Sequence, residues 1–293
     1  MSYLETILTN TGLQAILALS VYLTLATGQF SLSQVGFWAL GAYGGAMLTT
    51  MYGWPLLPAV LAPAFVCFFI GLALGWPCLR VRGIYLALAT LGFSECVRVF
   101  LNNLTYQIDV EGKLLGPEGV LGFRNIPVLT AAWHVFLALG LIMVAMFAVE
   151  RSRYGLALSA IQEDETAASA SGIAPVSAKM LAFSLAASIA AIGGALYANY
   201  MSFIIASDFS FNLTMLAVLY VGAGGIGTLF GPVFGAALIT LLPEYIRGLQ
   251  EFRMIFFGLL VTAIVLVRPR GLIDEELVRW VGRLFQRRTA LPK

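Results

Sequence analysis

Glu95 and Arg98 are oppositely charged residues inside the apolar stretch 83–102, and they form the only such pair within an apolar stretch of this sequence. On a helix, residues three apart share a face and can form an ion pair. An isolated charge in hydrocarbon costs at least ~2.5 kcal/mol, so charged residues at such positions usually have a function. The spacing indicates a structural ion pair, and the alternative is that the two side chains contact the charged ends of a zwitterionic ligand.

The sequence lacks the motifs of catalysis. Its apolar stretches contain no Ser/His, paired-Asp or HExxH arrangement, and the chain has no glycine-rich P-loop ending in Gly-Lys-Ser/Thr. The cysteines Cys67, Cys78 and Cys96 lack the spacing of metal ligands, so we expect them to pack in the core. The sequence therefore predicts no catalytic residue, no metal site, no cofactor bound by this chain and no enzymatic activity of its own.

The composition indicates which elements must position these residues. Of the 293 residues, 60% are hydrophobic and 11% are charged, against a charged share of roughly 25% in soluble domains. A helix needs about 20 apolar residues to cross a bilayer. The predicted fold class is therefore all-α, a polytopic transmembrane helical bundle with a single membrane domain over 1–270. The apolar stretches lie at 7–27, 33–52, 55–78, 83–102, 128–149, 179–200, 229–246 and 254–268.

The distribution of basic residues predicts the orientation of the bundle. Arginine and lysine concentrate on the cytoplasmic side of membrane proteins, and most of them fall here at 80–82, 151–153, 179 and 268–293. Placing these segments inside requires about nine crossings, with the N-terminus outside and the C-terminus in the cytoplasm. The short stretch 212–226 must then count as a crossing. A net charge of +2 gives no indication of a nucleic-acid partner.

The segment 150–178 is the longest inward loop of this arrangement. Its middle, from Glu163 to Gly172, is predicted to be a short helix outside the membrane, because carboxylates in a first turn meet the positive end of the helix dipole. Glu165, Ala168 and Gly172 recur at helical spacing, so one face carries a carboxylate followed by small residues, which suits docking into a groove on another protein. The alternative is a solvated amphipathic connector. The predicted first turn contains Glu163, Asp164 and Glu165.

Several stretches resemble a known family. The sequence ETAASASGI is similar to the cytoplasmic coupling-helix motif of ATP-binding-cassette importer permeases, with a Glu, a pair of small residues and a Gly six or seven positions on; Thr166 shifts the alanine pair to 167–168. The other stretches resemble the branched-chain amino-acid permeases of the M type. They are TGQFSLSQVGFWALGAYGGAML at 27–48, LRVRGIYLALATLGFSECVRVF at 79–100, the glycine-rich region 194–244 and VRPRGLI at 267–273.

The resemblance implies partners and a function. It implies a second permease subunit of the H type, two cytoplasmic ATPase subunits that hold ATP and Mg, and an extracytoplasmic substrate-binding protein. The expected function is inward passage of branched-chain or other small hydrophobic amino acids across the bacterial inner membrane. Urea or a short-chain amide is the alternative within the family. An ion-coupled secondary transporter is a further alternative, but such proteins usually carry more intramembrane carboxylates than Glu95 alone.

Two polar or glycine-rich segments are predicted to line the translocation pathway. Interior glycines cost roughly 1 kcal/mol each relative to alanine, so a dense run must be explained either by close helix packing or by a broken helix whose backbone lines a path. We predict that residues 29–34 and 222–231 face one another across the permease midline. The residues concerned are Gln29, Ser31, Ser33, Gln34, Gly222, Gly224, Gly225, Gly227 and Gly231.

The tail 271–293 has apolar residues at roughly helical spacing with arginines opposite them. This pattern predicts an amphipathic cytoplasmic helix on the anionic lipids of the inner leaflet.

Overall fold

The computed structural model describes residues 3–81, 83–110 and 113–245. The predicted crossing at 254–268 and the amphipathic tail 271–293 lie outside the described residues. The helices are α1 Tyr3–Leu25, α2 Gln34–Thr50, α3 Leu56–Cys78, α4 Ile84–Asn103, α5 Ala132–Glu150, α6 Arg153–Glu163, α7 Glu165–Ala170, α8 Pro175–Met201, α9 Phe211–Gly224 and α10 Phe230–Tyr245.

The described part of the chain is a bundle of apolar helices. Five of them, α1, α3, α4, α5 and α8, are long and apolar enough to cross a membrane, and α9 and α10 are apolar but shorter. This confirms a polytopic helical membrane protein. One short hairpin departs from the purely helical prediction: β1 Ile108–Val110 pairs antiparallel with β2 Lys113–Leu115.

The chain order separates two ends of the bundle. α5 runs from the segment that follows the hairpin to α6 and α7, and α8 runs back. The start of the 202–210 connection meets the hairpin segment, because Phe123 and Ile204 exchange backbone hydrogen bonds of 2.8 and 3.1 Å. We call these regions the α6–α7 end and the hairpin end.

The core lies where α1, α2 and α8 pack together. Leu13, Ile16 and Leu17 of α1 are fully buried, and α2 and α8 approach each other through small residues. A Cβ atom on Gly41 would clash with the backbone of Ala191, and one on Gly194 would clash with the carbonyl of Trp38. Because hydrocarbon provides no hydrophobic drive between helices, such small faces stabilise membrane bundles through close backbone packing.

The cysteines have different environments. Cys67 of α3 is buried and Cys78 is half-buried, but Cys96 of α4 is exposed on the surface of the chain. The core-packing prediction is therefore wrong for Cys96, because the face of α4 that packs inward carries Thr90, Ser94 and Val97 instead.

Candidate coupling site and translocation path

The segment between α5 and α8 forms two helices where the sequence predicted one. Glu163 is the last residue of α6, so its placement in the first turn of a helix 163–172 is wrong. Asp164 has extended backbone angles, and its Oδ1 accepts hydrogen bonds from the amides of Thr166 at 2.7 Å and Ala167 at 3.1 Å. Such a side-chain cap satisfies amide groups that a helix start leaves without partners. Asp164 therefore ends α6 and starts α7.

The end of α7 follows the prediction for Gly172. This residue has φ +85 directly after the C-cap Ser171, and the amide of Ile173 donates to the carbonyl of Ala168 at 3.2 Å. A left-handed glycine with this backbone bond is a Schellman cap, in which an L side chain would be strained. Both ends of this six-residue helix are thus defined by capping groups.

The cap makes a testable prediction about α7. The hydrogen bonds from Ala167 and Thr166 lower the pKa of Asp164, so the carboxylate stabilises α7 above its ordinary pKa, and this contribution is lost only as pH falls through the lowered value. We expect Asp164→Ala to accelerate hydrogen exchange at the amides of Thr166 and Ala167 at neutral pH. Asp164→Asn retains an acceptor oxygen and is the matched control. Equal exchange in both variants would contradict the role of the cap.

The helix α7 is attached to the start of α8. Glu165 Oε2 lies 3.0 Å from Lys179 Nζ, with side chains 30% and 16% exposed, and the hydroxyl of Tyr154 in α6 donates to the carbonyl of Ala178 at 2.5 Å. Ala168 is buried within the chain. Glu165 and Ala168 therefore face the rest of this chain. At these two residues, the face of α7 that was predicted to dock on another protein packs within this chain instead. The residues exposed on α7 are Thr166, Ala167, Ser169 and Ala170, all small.

The Glu165–Lys179 pair gives a second prediction. For the ATP-driven import that the resemblance implies, the pair joins α7 to α8, so Glu165→Gln is expected to lower the amount of substrate transported per ATP hydrolysed several-fold while leaving hydrolysis itself largely intact. The swapped variant Glu165→Lys with Lys179→Glu restores opposite charges and should recover part of the transport. The measurement is the ratio of uptake to phosphate release in the same preparation. An unchanged ratio in the single variant would contradict the mechanical role.

The connection between α1 and α2 is a buried break. Gln29, Ser31, Ser33 and Gln34 are each at most 1% exposed. Gln29 Nε2 donates to the carbonyl of Lys179 at 3.1 Å, and the hydroxyls of Ser31 and Ser33 lie 2.9 Å apart. Within the described part of the chain, neither atom of the Gln34 side-chain amide has a hydrogen-bond partner.

Hydrogen bonds from α4 hold this break in place. The amide of Leu32 donates to Thr90 Oγ1 at 2.9 Å, and Ser94 Oγ donates to the carbonyl of Leu32 at 3.0 Å. Membrane proteins tolerate non-helical backbone only where protein or water satisfies it. Here α4 satisfies the backbone of Leu32 through Thr90 and Ser94, and the side chain of Gln29 connects the break to α8 through the carbonyl of Lys179.

The glycine-rich segment is also a helix break. α9 ends at Gly224, and α10 begins at Phe230 after Gly225 with φ +106. A Cβ on Gly224 would clash with the carbonyl of Gly231, and one on Gly231 with that of Gly225. Close packing of α9 on α10 therefore explains Gly224 and Gly231, and the positive φ explains Gly225. Gly222 and Gly227 are exposed on the surface of the chain.

The structure brings only part of the two predicted pathway segments to one cavity. A cavity of about 460 Å³ at the α6–α7 end is lined by Thr27, just before the first segment, and by Ile226, Gly227 and Thr228 of the second. The polar side chains of Gln29, Ser31, Ser33 and Gln34 are not among its lining residues; that of Gln29 bonds to α8, and the hydroxyls of Ser31 and Ser33 pair with each other. The sequence reasoning missed two other lining residues, Tyr22 and Glu150, whose hydroxyl and Oε1 atoms lie 2.9 Å apart. The one available signal was the carboxylate of Glu150 at the end of an apolar stretch.

The charged pair in α4 is formed as the spacing predicted. Arg98 Nε donates to Glu95 Oε2 at 2.7 Å. Among the described residues, no three His, Cys, Asp or Glu side chains lie close enough together to hold a metal ion.

The apolar helices and their buried breaks define an integral membrane protein of the polytopic helical class. Residues 3–265 match the family model described as branched-chain amino acid transport system / permease component, and the chain belongs to this family.

Relatives with known names agree with this family. The chain is 31% identical to the high-affinity branched-chain amino acid transport system permease protein LivM of Salmonella typhimurium, and 30% identical to LivM of Escherichia coli. Each comparison covers 91% of this chain and 67% of the relative. The inner membrane ABC transporter permease protein YjfF of Escherichia coli is 26% identical over 78% of this chain and 63% of its own length. No solved structure matches the chain.

Proposed function

We propose that this chain is the transmembrane permease subunit of an ATP-binding-cassette importer that moves branched-chain or other small hydrophobic amino acids into the cytoplasm. The family match and the names of the two LivM relatives support the substrate class. ATP hydrolysis is supplied by partner subunits, since this sequence has no P-loop of its own.

The attachment of α7 to α8 is the observation that carries this proposal. α7 presents small exposed residues outward, while the Glu165–Lys179 pair joins it to the N-terminal part of α8. From there α8 runs through the core against α2, and Gln29 of the α1–α2 break bonds to the carbonyl of the same Lys179. A partner ATPase that displaces α7 would therefore also move α8 in the core and the α1–α2 break. Movement of one packed element against another is a common form of conformational switch.

The orientation that we propose is supported by the same arrangement. With the α6–α7 end in the cytoplasm, α1 enters from outside, and about nine crossings of the bacterial inner membrane result when 254–268 is included. The hairpin end then faces outward. Arg80, Arg151 and Arg153 fall on the inner side, as the preference of basic residues for cytoplasmic loops requires.

The assembly we propose has four kinds of partner. A second permease of the H type completes the membrane part, and two ATPase subunits that bind ATP and Mg dock at the α6–α7 end. A substrate-binding protein delivers the ligand at the hairpin end. Membrane lipid surrounds the bundle, and the tail 271–293 is proposed to lie on its inner leaflet.

Two alternatives are less well supported. Urea or a short-chain amide would use the same architecture, but neither LivM name mentions such a ligand. An ion-coupled secondary transporter would need an intramembrane carboxylate that exchanges an ion, whereas Glu95 is already paired with Arg98.

The driving force separates these classes. The chain is co-purified with its neighbours and reconstituted in liposomes, and ATP hydrolysis is measured with the substrate-binding protein loaded or empty. We expect the loaded protein to raise hydrolysis several-fold. Amino-acid uptake by this chain alone under an ion gradient would contradict the importer proposal.

A further inference from the structure

Three helices present large apolar side chains to the outside of the chain. α3 exposes residues such as Leu61 and Phe65, and α5 exposes Leu137 and Leu141. α3 contains no charged residue, and α5 contains only Glu150 at its last position. Acyl chains are as apolar as these side chains, so the outward faces of α3 and α5 suit contact with lipid.

The outward face of α4 has a different chemistry. Glu95 lies in its exposed arc, beside Gly92, Cys96 and Val99, and Arg98 lies at the border of that arc. The two charged side chains are 34% and 32% exposed even though they are paired. A charged pair is therefore open to whatever surrounds this face of α4.

The depth of the pair limits what that neighbour can be. Glu95 precedes Asn103, the end of α4, by eight residues, which is about 12 Å at the helical rise of 1.5 Å per residue. A glutamate side chain is too short to reach the membrane surface from there, and a charge that faces hydrocarbon costs at least ~2.5 kcal/mol. Lipid is thus a poor neighbour for α4. ATPases and binding proteins lie outside the bilayer, and the predicted crossing 254–268 of this chain has Thr262 as its one uncharged polar residue, ahead of Arg268 at its end. A neighbour that meets both charges is therefore another membrane-embedded chain.

We propose that the outward face of α4, from Tyr85 to Val99, packs against the second permease subunit. This inference rests on the proposed function, because it takes the partner from there. Ala89, Gly92 and Cys96 give the face small residues at the spacing that permits close approach of helices. A Cβ on Gly92 would meet no atom within 4 Å, so the groove over it has room for a side chain of the partner.

The charged pair provides polar contacts for that partner. Arg98 reaches Glu95 through Nε, which leaves its two terminal guanidinium nitrogens to donate to acceptors on the partner helix. Guanidinium is the cation best suited to ion pairs at protein interfaces. The pair would then specify the partner, as polar residues do at other helix interfaces in membranes.

The native Cys96 offers a direct test. Cys67 and Cys78 are replaced by alanine, a nitroxide is attached to Cys96, and the complex with the second permease is placed in nanodiscs. The accessibility of the nitroxide to oxygen, which concentrates in hydrocarbon, and to a water-soluble nickel chelate is then measured. A nitroxide at Leu141→Cys on α5 is the control for a lipid-facing site, and Ala89→Cys is a second position on the proposed interface.

We expect oxygen accessibility at positions 96 and 89 to be several-fold lower than at 141, with low nickel accessibility as well. Oxygen accessibility as high as at 141 would show a lipid-facing helix, and high nickel accessibility would show a water-filled path; either result overturns the inference. Uptake is measured in the same preparation. An active complex with a lipid-facing Cys96 rejects this interface alone, whereas failure of the complex to assemble or transport before the nitroxide is attached rejects the proposed function.

Discussion

Replacing Gly194 with alanine is expected to destabilise the bundle by about 3 kcal/mol, the upper end of the cost of overpacking a core. The added Cβ would clash with the carbonyl of Trp38 in α2. A carbonyl cannot move aside without displacing its helix, so the contact between α2 and α8 must open. The expected result is a lower thermal midpoint and a smaller yield of monodisperse protein in detergent.

Gly140→Ala is the matched control. Gly140 lies in α5, and a Cβ there would meet no atom within 4 Å. Since alanine favours helix over glycine by roughly 1 kcal/mol, this variant should be as stable as the parent protein or slightly more stable. If the Gly194 and Gly140 variants unfold at the same temperature, the close contact between α2 and α8 is wrong.

Ala170→Trp is expected to lower both stimulated ATP hydrolysis and uptake without affecting the fold. Ala170 is exposed at the end of α7, and an indole there would prevent close approach of a partner to a face made of small residues. Losing ~1.4 kcal/mol of docking energy corresponds to a factor of about ten in affinity. We therefore expect stimulated hydrolysis and uptake to fall by about tenfold or more, with an unchanged thermal midpoint.

Leu156→Trp is the control for Ala170→Trp. Leu156 is exposed on α6 at the same end of the bundle, and it already carries a large apolar side chain. Its replacement should leave both hydrolysis and uptake near the parent level. Equal losses in the two variants, or none in either, would contradict docking through α7.

Most of the helical architecture could be predicted because it depends on long apolar runs. The membrane fixes the length and polarity of a spanning helix, so α3, α4, α5 and α8 lie close to their predicted stretches. The spacing of Glu95 and Arg98 also predicted their contact. These are local features that a single helix already determines.

The details of the site depend on contacts between distant parts of the chain. The kink at Asp164 follows from a short side-chain cap that competes with the continuing helix, and periodicity alone does not indicate which of three successive acidic residues provides it. Likewise, Lys179 is paired with Glu165 and bonded to Gln29. Only the packing of α8 brings these residues together. The inward direction of Ala168 has the same origin.

The role of the glycines at 222–231 also depends on contacts that the sequence does not reveal. The sequence left close packing and a pathway lining as equal explanations for residues 222–231. The backbone separates them, because a Cβ on Gly224 or Gly231 would clash with the neighbouring backbone while a Cβ on Gly222 would meet no atom within 4 Å. A pattern of glycines shows where helices approach closely, but the partner helix is fixed only in three dimensions.

The most direct test of the central claim is the direction and energy source of transport. Liposomes containing the complete complex are prepared with ATP available only at the α6–α7 end, and labelled leucine bound to the substrate-binding protein is supplied at the hairpin end. The account predicts that leucine accumulates on the side of α7 and that accumulation stops when ATP is removed. Accumulation without ATP under an ion gradient, or transport of labelled urea but not leucine, would contradict it.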